Sequence, residues 1–197
     1  IVLSSNHYLK KVFLVILQKL AAGAGLTLAF CPDVTRVAHA AIAVRPHLLP
    51  TIPRLLEKIH TAVLVSIENN RWLLRKVGNF AIDRACRASR IRQQEGSISL
   101  VLKAQLLLSD LLVLKRIRQR LGGRVRLVIS GGATLSPKTG IFFDSIGLNI
   151  VEGYGMTECT AVISVGVPGE HRIGSVGPPL SGLEVKLASD GEVLVRG

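Results

Sequence analysis

The chain has 197 residues, 48% of them hydrophobic but only 4% aromatic, and carries a formal net charge of +12. That length and apolar share suit one sizeable core, or one large and one small lobe, filled by Leu, Val, Ile and Ala. Cys31, Cys86 and Cys159 lie at wide, unpatterned spacing, which argues against a disulfide framework or a zinc site and points to a reducing compartment.

The charge is concentrated. Between Arg71 and Arg126 fourteen Lys/Arg residues stand against Asp83, Glu95 and Asp110, a local balance of +11. A surface for anionic lipid or nucleic acid is one reading. The solvated faces of amphipathic helices are the other, and the preferred one. Arg71, Arg75, Arg84, Arg87 and Arg90 alternate at helical spacing with Leu73, Val77, Ala81, Ala85 and Ala88. No aromatic interleaving supports base stacking.

In chain order, residues 9–22 read as a helix ending near Gly23 and Gly25, and "LTLAFC" reads as a short strand. The stretch from Val12 to Phe30 is broken by Gln18–Lys19 and two glycines, so no transmembrane helix is expected. Asp33 is expected to cap a helix through about Val44, closed by Pro46. "HLLPTI" is a short apolar run. Pro53 then opens a helix at the favoured first turn. Long helices follow to about Leu121, with interruptions expected near Gly78 and Gly96, and Trp72 is expected to anchor one of them. "RVRLVIS" reads as a strand, Ser136–Pro137 as a helix start reaching about Ile146, and "LNIVEGYG" as a strand. The remainder is β-rich, with a hairpin about Asp190–Gly191.

The sum is an α/β fold with strand–helix alternation, a long helical insert at about 54–121 and a small C-terminal β unit. The expected division is an incomplete α/β unit over 1–159 and the start of a β-rich unit over 160–197. With no basic leader before Ile1 and a strand-like run stopping at Gly197, the chain is expected to be a piece of a longer one.

Two loops carry the chemistry. In "VISGGATLSPK" a strand runs into Gly131–Gly132, where no Cβ blocks a flat ligand and the next helix offers free N–H groups. In "IVEGYGMTE" a second strand ends on Tyr154, Thr157 and Glu158, bracketed by Gly153 and Gly155. Parallel strands would bring both loops to one carboxyl edge, where such sheets bind ligands. Tyr154 could then face a base, Thr157 a phosphate oxygen, and Glu158 Mg²⁺, which favours hard oxygen ligands.

"SGGATLSP", "GLNIVEGYGMTE", "RIGSVGPPLSGLEVKL" and "GEVLVRG", in that order and spacing, resemble the adenylate-forming (AMP-binding) enzymes, and within them the bacterial long-chain fatty-acid–CoA ligases. "VRPHLLPTIPRLLEKIH" and "RIRQRLGGRVRLVISGG" resemble the same branch. The resemblance implies part of the large N-terminal domain of such an enzyme. Gly131, Gly132 and Ala133 would line an adenine pocket. Gly153, Tyr154, Gly155, Met156, Thr157 and Glu158 would form the second loop. In it Tyr154 would pack on adenine, Thr157 would contact phosphate, and Glu158 would bind Mg²⁺, so Thr157 and Glu158 are the expected catalytic pair. His7 stands where the family places a histidine near the acyl carboxylate, and a packing histidine is an equal alternative.

The implied substrates are a fatty acid, ATP and coenzyme A, with Mg²⁺ as metal and no nucleic acid. The implied location is cytoplasmic, with peripheral contact at the inner membrane face left open. The family's phosphate loop, ribose-binding aspartate and C-terminal lobe do not fall within the chain, so the chain alone is expected to be inactive. Two alternatives stand beside this one: a ligase for an aryl or short acid, and a non-catalytic module of the same fold. His39, His47, His60 and His171 show no ligand spacing and are expected to be structural, and Glu57 and Lys58 to be solvated charges.

Overall fold

A computed structural model describes residues 2–3, 23, 25–31, 36–156, 159, 162–170 and 172–197. The expected helix at 9–22, the Asp33 cap, His7, Thr157, Glu158 and His171 lie outside the described residues. The described elements begin with β1 (Val2–Leu3) paired in parallel with β2 (Ala29–Phe30), followed by α1 (Val37–Val44).

The central sheet has the order β3 (Leu48–Thr51), β4 (Leu127–Gly131), β5 (Asn149–Tyr154), β6 (Ser164–Val165). The first three are parallel and β6 is antiparallel. Leu49, Val128 and Ile150 stand in register across the three parallel strands and are all buried. They therefore share one sheet face, and that face meets the helices. The β-rich tail forms a separate hairpin of β7 (Glu184–Leu187) and β8 (Val193–Arg196). Its turn is held by Asp190 Oδ1, which accepts from Glu192 N at 3.0 Å, and by Gly191 at φ +91°.

The β3-to-β4 crossover is helical. It comprises α2 (Pro53–Glu68), α3 (Trp72–Gln93), α4 (Leu100–Ser109), a π-helical turn (Asp110–Leu114) and α5 (Lys115–Gln119). Helix α2 starts with Pro53 and buries Leu56, His60, Val63 and Ile67, one face at three-to-four spacing. Helix α3 buries small residues, Ala81, Ala85, Ala88 and Ser89, and packs on α6 (Pro137–Ser145), which leads from β4 to β5. Small side chains on α3 make room for Phe142 and Phe143 of α6, both at most 2% exposed.

Two expectations fail here. Helix α3 runs unbroken through Gly78, and the interruption falls instead at Asn69–Arg71. Gly78 is buried against α2, where a Cβ would come within 2.7 Å of Ile67 Cγ2. The glycine serves a close helix approach and not a break. Trp72 anchors nothing in the core: it is 61% exposed, with Lys76 Nζ 4.2 Å above its ring. Glu57 and Lys58 are exposed as expected.

The basic stretch largely fits the expected solvated helix faces: of its fourteen Lys/Arg residues all but Arg84 and Arg118 are exposed, Arg87 and Arg90 among them. Arg84 is half-buried and lies 5.0 Å from the Phe80 ring, while Arg118 makes a paired contact with Asp110 at 2.6 and 2.9 Å. Arg118 also donates to Ile146 O, tying α5 to the end of α6. The outward side of α4 is apolar, with Leu100, Val101 and Leu107 all well exposed.

Candidate functional site

Gly131 and Gly153 are register partners at the carboxyl ends of β4 and β5. The two glycine loops read from the sequence therefore leave the sheet side by side. Gly132 has φ +84°, a conformation that suits glycine, and a Cβ built there would meet nothing within 4 Å. Gly132, Ala133 and Gly155 are exposed, while Gly131, Gly153, Tyr154 and Met156 are half-buried. The edge is thus open, with bare backbone beside one aromatic ring. That surface fits a flat heterocycle bearing hydrogen-bonding groups.

Beyond Tyr154 the chain turns back on itself. Ile163 N donates to Tyr154 O at 2.9 Å, and Cys159 N to Met156 O at 3.2 Å. Thr157 and Glu158 lie outside the described residues. Among the described residues no group of three His, Cys, Asp or Glu side chains could hold a metal ion.

The structure adds a residue that sequence reasoning missed. Glu152 is two positions beyond Ile150, so its side chain points to the core face of β5, and it is 7% exposed. One carboxylate oxygen accepts from Leu135 N at 3.1 Å, in the loop after β4. The other accepts from Gly174 N at 2.9 Å. Its main-chain carbonyl accepts from Gly166 N at 3.0 Å. With both oxygens committed to backbone donors, Glu152 is a poor metal ligand. The available signal was its parity: a carboxylate on the buried face of a strand requires partners.

Behind the loops, His60 lies 3.4 Å through Nδ1 from Thr139 Oγ1 and stacks on Phe142 at 4.2 Å. Burial, and secondarily the positive charge of Lys138, hold its pKa below the ordinary value. It is a packing residue on the helix side of the sheet, as expected. His39 and His47 are exposed.

The largely parallel sheet with paired glycine loops at its carboxyl edge defines an α/β fold. The match to known sequences is more specific. The AMP-binding enzyme family matches residues 11–197, and the chain belongs to that family. It is 31% identical over 176 residues to the long-chain-fatty-acid–CoA ligase FadD15 of Mycobacterium bovis, covering 87% of this chain and 28% of that protein. It is 30% identical over 182 residues to long-chain-fatty-acid–CoA ligase 6 of Rattus norvegicus, covering 85% of this chain and 24% of that one. The chain thus spans roughly a quarter of the length of these relatives. Among solved structures, the N-terminal domain of FACL13 from Mycobacterium tuberculosis superposes with a TM-score of 0.55 at 17% identity, over 98% of this chain and 37% of that one. That likeness bears on the fold, which is the α/β architecture of the N-terminal domain.

Proposed function

We propose that the intact protein is an AMP-forming long-chain fatty-acid–CoA ligase. The fatty carboxylate attacks the α-phosphate of ATP, giving acyl-adenylate and pyrophosphate, and the thiol of coenzyme A then displaces AMP. The observation that supports this reading best is the register pairing of Gly131 with Gly153, which sets the two glycine loops beside each other at one open edge. The activity for which these relatives are named, together with the helical crossover between β3 and β4, favours a long-chain acid over an aryl or short one.

In this reading Gly131, Gly132 and Ala133 line the adenine site, with Tyr154 against the base. Gly153, Gly155 and Met156 shape the second loop, Thr157 contacts phosphate, and His7 faces the acyl carboxylate. Glu158 would hold Mg²⁺, as the family resemblance implies, while each carboxylate oxygen of Glu152 accepts from a backbone N–H. Bound Mg²⁺ supplies Lewis-acid stabilisation of phosphate oxygens. The proposed division keeps 1–159 as the nucleotide-binding unit and 160–197 as the start of a β-rich one, with β6 pairing back onto the sheet. The 197 residues alone, a quarter of the relatives' length, are proposed to be inactive. No described helix is long and apolar enough to cross a membrane. The proposed location is cytoplasmic.

Glu158→Gln in the intact protein is the direct test. Adenylate formation, followed by pyrophosphate release with palmitate, should fall by about 10²-fold, the scale of one lost transition-state electrostatic contact. A rate close to wild type would sink the metal role. Benzoate or acetate outperforming palmitate would replace the long-chain reading with one of its alternatives.

A further inference from the structure

Glu152 joins segments that are distant in sequence and meet at the carboxyl edge. Leu135 closes the Gly131–Ala133 loop and is itself buried. Gly174 closes the Arg172–Gly174 segment, which is held from three other directions. Ile173 N donates to Gln93 Oε1 at 3.0 Å, Arg172 pairs with Glu95 at 3.2 Å, and the Ile173 side chain lies over Gly140, where a Cβ would come within 2.6 Å. One carboxylate on β5 therefore fixes the loop after β4 and, through Gly174, the segment anchored to the end of α3.

We infer that Glu152 is a positioning residue, each of whose carboxylate oxygens holds one backbone N–H so that the Gly131–Leu135 and Arg172–Gly174 segments keep a fixed spacing around the nucleotide. The inference rests on the nucleotide reading above. A carboxylate suits the task because, when ionised, it only accepts. Gln would place an NH₂ group against one of the two N–H donors, and Asp is too short to span both. Ala would leave the buried Leu135 N–H without its partner and release the Gly174 N–H as well. Glu152 touches neither base nor phosphate in this reading, so it acts through the loops that do. A displacement of such loops by about 1 Å can cost on the order of 10²-fold in rate.

The test is Glu152→Gln in the intact protein, assayed in two ways. KM for ATP should rise about tenfold or more, while KM for palmitate and for coenzyme A stay within about twofold. Hydrogen exchange should accelerate together at the Leu135 and Gly174 amides, with Ile150 and Val151 still protected. A purely structural role predicts something else: kcat falling in proportion to the folded fraction, KM for ATP unchanged, and exchange rising along all of β5. That outcome overturns the inference, as would protected Leu135 and Gly174 amides in the variant. Wild-type protein that does not use ATP would sink the nucleotide reading instead, and the exchange pattern would still judge the clamp. Should Glu152→Gln fail to accumulate folded, Gln93→Ala removes the acceptor for Ile173 N from the same segment. It should raise KM for ATP about threefold with faster exchange at Gly174, and no change in either would overturn the inference.

Discussion

The carboxyl edge of the sheet and the helical crossover between β3 and β4 solve opposite problems. At the edge a buried carboxylate, Glu152, satisfies backbone donors from two separated segments, beside glycines that leave the backbone bare. On the outer side of the crossover large apolar residues stand exposed beside basic ones: Leu100 is 82% exposed, Leu107 75% and Leu111 67%. Where groups are buried and mutually dependent, one change propagates through every partner. Where side chains stand in solvent, changes stay local. The two regions meet at α3 and α6, where Ser89 donates to Asp144 at 2.5 Å and Arg92 reaches the same oxygen at 3.1 Å.

That contrast can be broken by stability measurements. The largest effect should come from Phe142→Ala in the layer between the regions. Phe142 is 2% exposed, stacks on His60 and meets Phe143 edge-on at 5.3 Å. Its truncation should cost about 3–5 kcal/mol in urea unfolding of the intact protein. A loss below about 1 kcal/mol would place the stabilising layer elsewhere.

His60 sharpens the contrast through pH. Its pKa is lowered in the folded protein by burial, with Lys138 adding to the shift. The unfolded chain, with an ordinary histidine pKa of about 6.5, therefore takes up a proton more readily. The His60 contribution is complete above pH 6.5 or so and is lost as the pH falls from there through the folded value. Unfolding midpoints of wild type and His60→Gln should thus converge on the acid side and separate at neutral pH. Parallel curves across that window would contradict the assignment.

The smallest effects belong to the outer face of the crossover. Arg87→Gln and Leu107→Gln should each change stability by no more than about 0.5 kcal/mol, read from thermal or urea midpoints. A markedly larger loss at Leu107 would mean that this apolar face is covered in the intact protein.

The elements that came through from the sequence are those with local causes. Pro53 and Pro137 open helices because a first-turn proline loses no hydrogen bond. "LVISG" and "NIVEGY" form strands, and Asp190–Gly191 turns a hairpin, because alternation and turn chemistry act over a few residues. The two glycine loops were legible for the same reason, and their placement at one edge followed once the strands were parallel.

What tertiary structure decided depends on partners far along the chain. Gly78 reads locally as a helix breaker, yet Ile67 of the neighbouring helix requires a residue without a Cβ there, and packing overrides propensity. Trp72 reads as an anchor, yet the residue is 61% exposed and its ring stays in solvent beneath Lys76. Glu152 reads as one more polar residue before a glycine. Its partners, Leu135 and Gly174, lie 17 and 22 residues away on opposite sides in sequence, and only folding brings both N–H groups to one carboxylate. Composition and period set which segments become strands and helices. Which side chain each buried group must meet is fixed by three-dimensional contact, because hydrogen bonds and close packing act over a few ångströms of space and take no account of separation along the chain.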